Sequence, residues 1–135
     1  MSRSGYSDDF GDNQLYLYRQ AVERAIRGKR GQALLRALRD ALDAMPVKRL
    51  ITEEIVTAEG DCCALGCLAL ARGLDVSNVD PEDPHRVAKL FDIAPSLARE
   101  IVYENDEWYD DSEEARWERM RRWVDRNILE ETATA

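Results

Sequence analysis

Apolar residues recur along this chain at the three- and four-residue spacing of amphipathic helices, interrupted by Gly, Pro and Asp-rich points. Leu15, Tyr18, Val22 and Ile26 share one helical face, which predicts a first helix starting near Asp12 or Asn13, both good caps. Gly28 and Gly31, on either side of Lys29 and Arg30, are expected to end it. Leu34, Leu35, Leu38, Leu42 and Met45 stripe a second helix from about Gln32 to Ala44. Arg36, Arg39, Asp40 and Asp43 lie opposite, and Pro46 stops the helix. The short link predicts an antiparallel pair. From Cys62 or Cys63 to Arg72 the residues are small and apolar, which predicts a buried helix ended by Gly73. Gly66 inside it would admit a neighbouring helix at close range, at some cost in helix propensity.

Asp83 as a cap, with Pro84 at the first helical position, opens a further helix to about Asp92. Ala94 and Pro95 open another, from Ser96 to about Asn105. The last starts near Ser112, striped by Trp117, Met120, Val124 and Ile128. Two stretches leave this period. LDVSNVDPEDPH is turn chemistry. Residues 47–61 read two ways: Leu50, Ile51, Ile55 and Val56 at helical spacing, or EIVTAEGDCC as strand, Gly turn and strand. The expected fold is all-α, a compact bundle of five or six short helices, with one small β-hairpin near 54–63 as a variant. A single helical domain is expected over 14–129, with a flexible segment over 1–13 and a frayed tail over 130–135.

A chain of 135 residues with 44% apolar content suits one domain. Domains of this size bury about two-thirds of the surface their unfolded chain exposes. The longest strongly apolar run, Cys62 to Ala71, is short of the roughly 20 residues that span a bilayer. The opening MSRSGYSDDF has no apolar core of a signal peptide. Cytoplasmic residence in a bacterium-like cell, away from membranes, is therefore expected. The three cysteines, Cys62, Cys63 and Cys67, are odd in number and crowded, which argues for a reducing compartment over a disulfide framework.

Charge changes the picture most. From Arg19 to Arg49 there are nine Lys or Arg and three acids; from Glu100 to Glu114 there are eight acids and no base. The net charge of −8 disfavours nonspecific binding to DNA or to anionic membranes. Carboxylates interleaved with aromatics suit a surface that imitates nucleic acid or docks on an Arg-rich groove. The candidate residues for such a face are Glu100, Tyr103, Glu104, Asp106, Glu107, Trp108, Asp110 and Asp111. The alternative is a solvated loop with its aromatics, Tyr109 among them, folded into the core. Arg24, Arg27, Lys29 and Arg30 form a second candidate, a basic patch for an acidic partner or a phosphate near Gly28–Gly31. The loop lacks the GxxxxGK[ST] of a P-loop. Cations at a helix C-terminus are also stabilised by the helix dipole, by about 0.3–1 kcal/mol each, which explains the cluster without a ligand.

Residues 86–104 have helix-turn-helix spacing. Val87, Phe91, Ile93, Ala98 and Ile101 fill its buried places, with Ala88 at the tight contact. The second helix would offer Ser96, Leu97, Arg99, Glu100 and Tyr103 to a groove. It would also bring Glu104, Asp106 and Glu107 to the phosphates, which carboxylates repel. Two helices crossing at a corner of the core produce the same spacing. The C-C-x3-C pattern, with His85 as the lone histidine, lacks the CxxC pairing of zinc sites. The cysteines read as buried small apolar residues. His85, beside Glu82 and Asp83, has no nucleophile or orienting group to work with. No metal, no cofactor and no enzymatic activity are expected.

The stretches AIRGKRGQALLRALRDALDAMPVKRLI (25–51), GDCCALGCLALARGLD (60–75), DPEDPHRVAKLFDIAPSLAREIVYENDE (80–107) and ARWERMRRWV (115–124) together resemble a group of small helical proteins. The group is encoded by tailed double-stranded-DNA phages and prophages. The similarity covers most of residues 15–126 and implies a setting, with no catalytic residue attached. Against the group's pattern the three cysteines stand where ordinary apolar residues are expected. The reading that follows is a non-enzymatic phage or prophage accessory protein that acts by binding. Its most concrete form is an inhibitor of a host defence complex, such as an anti-CRISPR, with the acidic face in a basic groove. The partner would be a host protein or a protein–nucleic acid complex, in preference to nucleic acid directly. The alternatives are a DNA-binding regulator using 86–104 or the basic patch, and a homo-oligomeric scaffold, with a homodimer as its simplest form.

Overall fold

A computed structural model describes residues 12–129 of the chain. The flexible segment expected over 1–13 and the tail over 130–135 lie outside the described residues, except that Asp12 and Asn13 open the first helix. Six helices follow one another: α1 Asp12–Arg27, α2 Lys29–Ala44, α3 Ala64–Arg72, α4 Pro84–Phe91, α5 Pro95–Asp106 and α6 Glu113–Asn127. No strand occurs among the described residues. The all-α bundle expected from the periodicity is the fold observed.

The link between α1 and α2 is shorter than expected. Gly28 alone separates them, with extended backbone (φ −71°, ψ 164°). Gly31 does not end a helix; it sits in the first turn of α2, where a Cβ would overlap the carbonyl of Ala25. A one-residue link cannot fold two helices back on each other along their length. The two meet at Gly31 as a corner, not as an antiparallel hairpin. α1 then lies against α5, and α2 against α3 and α6. The stripe of α1 buries Val22 and Ile26, while Leu15, at the far end from the corner, is exposed.

The core is built from Leu34, Leu35, Leu38 and Leu42 of α2, Leu65 and Leu68 of α3, Phe91, Leu97, Ile101 and Met120, all essentially solvent-free. Each such side chain contributes about 1.5–3 kcal/mol by leaving water. Local chemistry sets the helix ends. Asp83 accepts from the Arg86 amide at 3.2 Å, and Ser112 from the Ala115 amide at 3.0 Å. Gly73 closes α3 in the left-handed region (φ 68°), and Asp92 does the same for α4 (φ 57°).

Residues 45–63 settle the double reading of 47–61 against both forms. No helix forms there, and the hairpin variant shrinks to one antiparallel bridge, Val56 with Cys62. The left-handed Glu53 (φ 72°) interrupts any extended run. Ile51 and Cys63 instead tie the loop together, Ile51 N–H to the Cys62 carbonyl and Cys63 N–H to the Ile55 carbonyl, both at 3.0 Å. The close approach at Gly66 is therefore made by this loop and not by a helix. A Cβ on Gly66 would collide with the Ile55 carbonyl.

α5 is the axis of the molecule. It packs against α1, α3, α4 and α6, and no residue from Pro95 to Asp106 is exposed.

Candidate functional site

The position of α5 draws part of the acidic run inward. Glu100 faces inward, 1% exposed, with Arg19 Nη1 donating to its Oε1 at 2.8 Å. Glu104 lies one turn on and half-buried, where desolvation holds its carboxyl above the ordinary range. Arg119 of α6 stands 3.9 Å from the Glu104 carboxylate and donates to the backbone carbonyls of Glu104 (2.5 Å) and Asn105 (3.4 Å), closing the C-terminal end of α5. The same guanidinium binds Asp110 through both carboxylate oxygens, at 2.8 and 2.9 Å, and Arg116 approaches at 3.3 Å. Asp110 is accordingly held below the usual carboxylate range, with the hydrogen bond from Arg119 as the main cause. Asp106 accepts from Asn105 Nδ2 at 2.7 Å.

Glu100 and Asp110 therefore leave the candidate docking face: both are enclosed and ion-paired, structural in role. Tyr103, Glu104 and Asp106 sit at its partly covered edge. Glu107, Trp108 and Asp111 remain as expected, outside. The structure adds Glu113, Glu114 and Tyr109, all exposed. Tyr109 is 94% exposed and Trp108 50%, so these aromatics do not fold fully into the core. The Trp108 ring rests on the Arg119 guanidinium, 5.9 Å from centroid to carbon, which orients it beside the acids.

Asn105 carries a role the sequence pattern missed. Buried at the end of α5, it accepts from the Ala64 amide at 3.1 Å and donates to the Ile51 carbonyl at 2.8 Å. It thereby supplies the N-terminal cap that α3 lacks and pins the 45–63 loop. Gln32 does similar work at the α1–α2 corner, donating to the carbonyls of Ile26 and Asn127 at 2.8 and 2.9 Å and accepting from the Leu129 amide.

The basic patch survives as an exposed cluster. Arg24, Arg27, Lys29 and Arg30 all face solvent at the α1–α2 corner. Arg27 pairs with Glu23 at 3.8 Å and Arg30 with Asp92 at 3.4 Å, both exposed pairs of little energetic weight. Arg24, Lys29 and Arg30 share a cavity of about 220 Å3 with Ala94, the residue that precedes α5. The basic corner thus sits at the N-terminal end of α5, and the uncovered acids follow its C-terminal end. Twelve residues of helix separate the two ends by about 18 Å.

The helix-turn-helix spacing is realised as α4, the turn at 92–94 and α5. Its second helix is covered on several sides, however. Leu97, Glu100 and Ile101 are buried, and Arg99 stacks over the Tyr18 ring at 5.2 Å. A recognition helix needs one face clear to enter a groove, and α5 has none. His85 is exposed in the first turn of α4. Among the described residues no group of three or more His, Cys, Asp or Glu is arranged to hold a metal ion. Nor is any helix of the described residues long and apolar enough to cross a membrane. Comparison with protein-family models, curated proteins and solved structures returns no match to this chain.

Proposed function

We propose that this chain is a non-enzymatic accessory protein of a phage or prophage that acts by binding a basic surface of a host protein or protein–nucleic acid complex. Inhibition of a host defence complex, in the manner of an anti-CRISPR, is the concrete form. One observation carries the reading: Trp108 and Tyr109 stand exposed among Glu107, Asp111, Glu113 and Glu114. Large aromatics left in water beside carboxylates are the composition of an anchor for an Arg-rich groove. The inward acids and their arginines hold that loop in place.

The test is capture from bacterial lysate by the tagged chain, in parallel with a variant carrying Glu107→Lys, Asp111→Lys and Glu114→Lys. A stoichiometric, nuclease-resistant partner that wild type retains and the variant loses supports the reading. Equal retention by both sinks it.

A second reading rests on the exposed basic corner: a regulator that contacts DNA phosphates through Arg24, Arg27, Lys29 and Arg30. Its affinity for duplex DNA should fall steeply with salt, and absence of binding at low salt removes it.

A further inference from the structure

Two of the three cysteines are neighbours in space. Cys63 caps α3, so Cys62 precedes the cap and Cys67 occupies the fourth helical position. Side chains at those two positions meet across the first turn of a helix, a contact usually made by two apolar residues. Here it is made by two free thiols. The backbone holds them there: Val56 bridges to Cys62, and the Cys67 amide donates to the Cys63 carbonyl at 2.9 Å. Gly66 makes room, since a side chain at that position would press on the Cys62 Cβ.

Both cysteines are free, and only 4% and 5% exposed. Both nevertheless line one cavity of about 480 Å3, walled by Ala41, Met45, Arg49, Asp61 and Leu70 among others, and Cys63 is not part of its wall. The two thiols are also unlike. Cys67, accepting the hydrogen bond from Cys62 and lying near Lys48, is held below the ordinary thiol range although burial opposes this. Cys62 is pushed up by donating that bond, by burial and by the charge of Asp61. Two thiols with different charged neighbours, Asp61 for Cys62 and Lys48 for Cys67, thus stand beside a space large enough for a small reactant.

We infer that Cys62 and Cys67 form a redox-closable dithiol that reacts with small disulfides of the glutathione type entering this cavity. The Cys67 thiolate attacks one sulfur of the small disulfide; its S–S bond breaks, and one thiolate leaves with the bonding pair and takes a proton. Cys62 then releases its proton, and its sulfur attacks the Cys67 sulfur of the mixed disulfide, expelling the second small thiol. The protein loses two hydrogens and the small disulfide gains them, so the exchange is balanced and is reversed by excess small thiol. The new bond ties the 45–63 loop to α3 across one wall of the cavity.

The full chain is equilibrated with oxidised and reduced glutathione at a series of ratios, quenched, denatured, alkylated and weighed by intact mass. In wild type the expected product is a monomer lighter by two hydrogens that accepts one alkyl group where the reduced chain accepts three. Cys63→Ala closes at the same ratio. Cys62→Ala does not close and keeps a glutathione adduct. Circular dichroism checks that each variant is folded, and Cys63→Ala decides the matter if the others are not, because Cys62 and Cys67 are the one pair it retains. Three alkyl groups at the most oxidising ratio, loss of closure in Cys63→Ala, or disulfide-linked dimers in place of the internal bond would overturn the inference.

Discussion

The inward and the outward acids of the 100–114 run have the same side-chain chemistry and opposite uses. Glu100, Glu104 and Asp110 point at Arg19, Arg116 and Arg119, bases contributed by α1 and α6. Glu107, Asp111, Glu113 and Glu114 are exposed, beside the exposed Tyr109 and the half-exposed Trp108. Eight acids without a base look like one repulsive block in the sequence. In the folded molecule, α5 and the loop after it sort them, so that three of the eight face guanidinium groups, four are exposed, and Asp106 sits between the two sets. Charge per segment is therefore a poor measure of charge per surface, because the compensating bases come from distant parts of the chain.

That contrast can be broken most severely at Glu100. Glu100→Lys places a cation beside Arg19 in a site closed to water, and should cost about 3–5 kcal/mol in urea denaturation. Next comes Asn105→Ala, which leaves the Ala64 amide and the Ile51 carbonyl without their partner; a loss of about 2–3 kcal/mol is expected in the same assay. Asp110→Asn is smaller at neutral pH, about 1–2 kcal/mol, but carries a pH signature. Its carboxyl is held below the ordinary value, so the stability it supplies is complete above the unfolded-state pKa and disappears as pH falls through the lower folded value. Between pH 5 and the acid transition, reckoned as about one unit above an ordinary Asp, the Asn variant should therefore lose less stability than wild type.

Glu104 slopes the other way: its pKa is raised, so stability declines as pH climbs from the unfolded to the folded value, and Glu104→Gln should remove that decline. The smallest effect on the fold belongs to the outward set. Glu107→Lys, Asp111→Lys and Glu114→Lys should each move stability by no more than about 0.5 kcal/mol, while the three together abolish capture of the partner. If instead the outward variants destabilise and Glu100→Lys does not, the sorting of the run is wrong.

What was legible in the sequence was whatever is decided locally. Asp83, Pro84 and Ser112 mark helix starts because capping involves residues within one turn, and the α2 stripe marks the core because periodicity needs only one element. What was hidden depends on a partner far along the chain. Gly31 and Gly66 look alike as helix-breaking residues, yet each is required by the backbone of another segment: Ala25 in one case and Ile55 in the other. Glu100 finds its base 81 positions away, and Asn105 reaches Ile51 across 54. The cysteines follow the same rule in reverse. Their identities suggested small apolar fillers, and one wall of the cavity beside them is the 45–63 loop, whose path no periodic pattern foretold.

The axial helix α5 also governs how the molecule meets anything charged. With exposed cations at one end and uncovered carboxylates about 18 Å away at the other, an external field exerts a torque on it as well as a pull. Taken by themselves, these two ends turn toward a positively charged target acid-end first, with the basic corner behind. Encounters are pre-aligned over a Debye length of about 10 Å, and adding salt shortens that range. The charge layout thus narrows the set of collisions that begin in a productive orientation, which acts on the rate of arrival and not on the strength of the final contact.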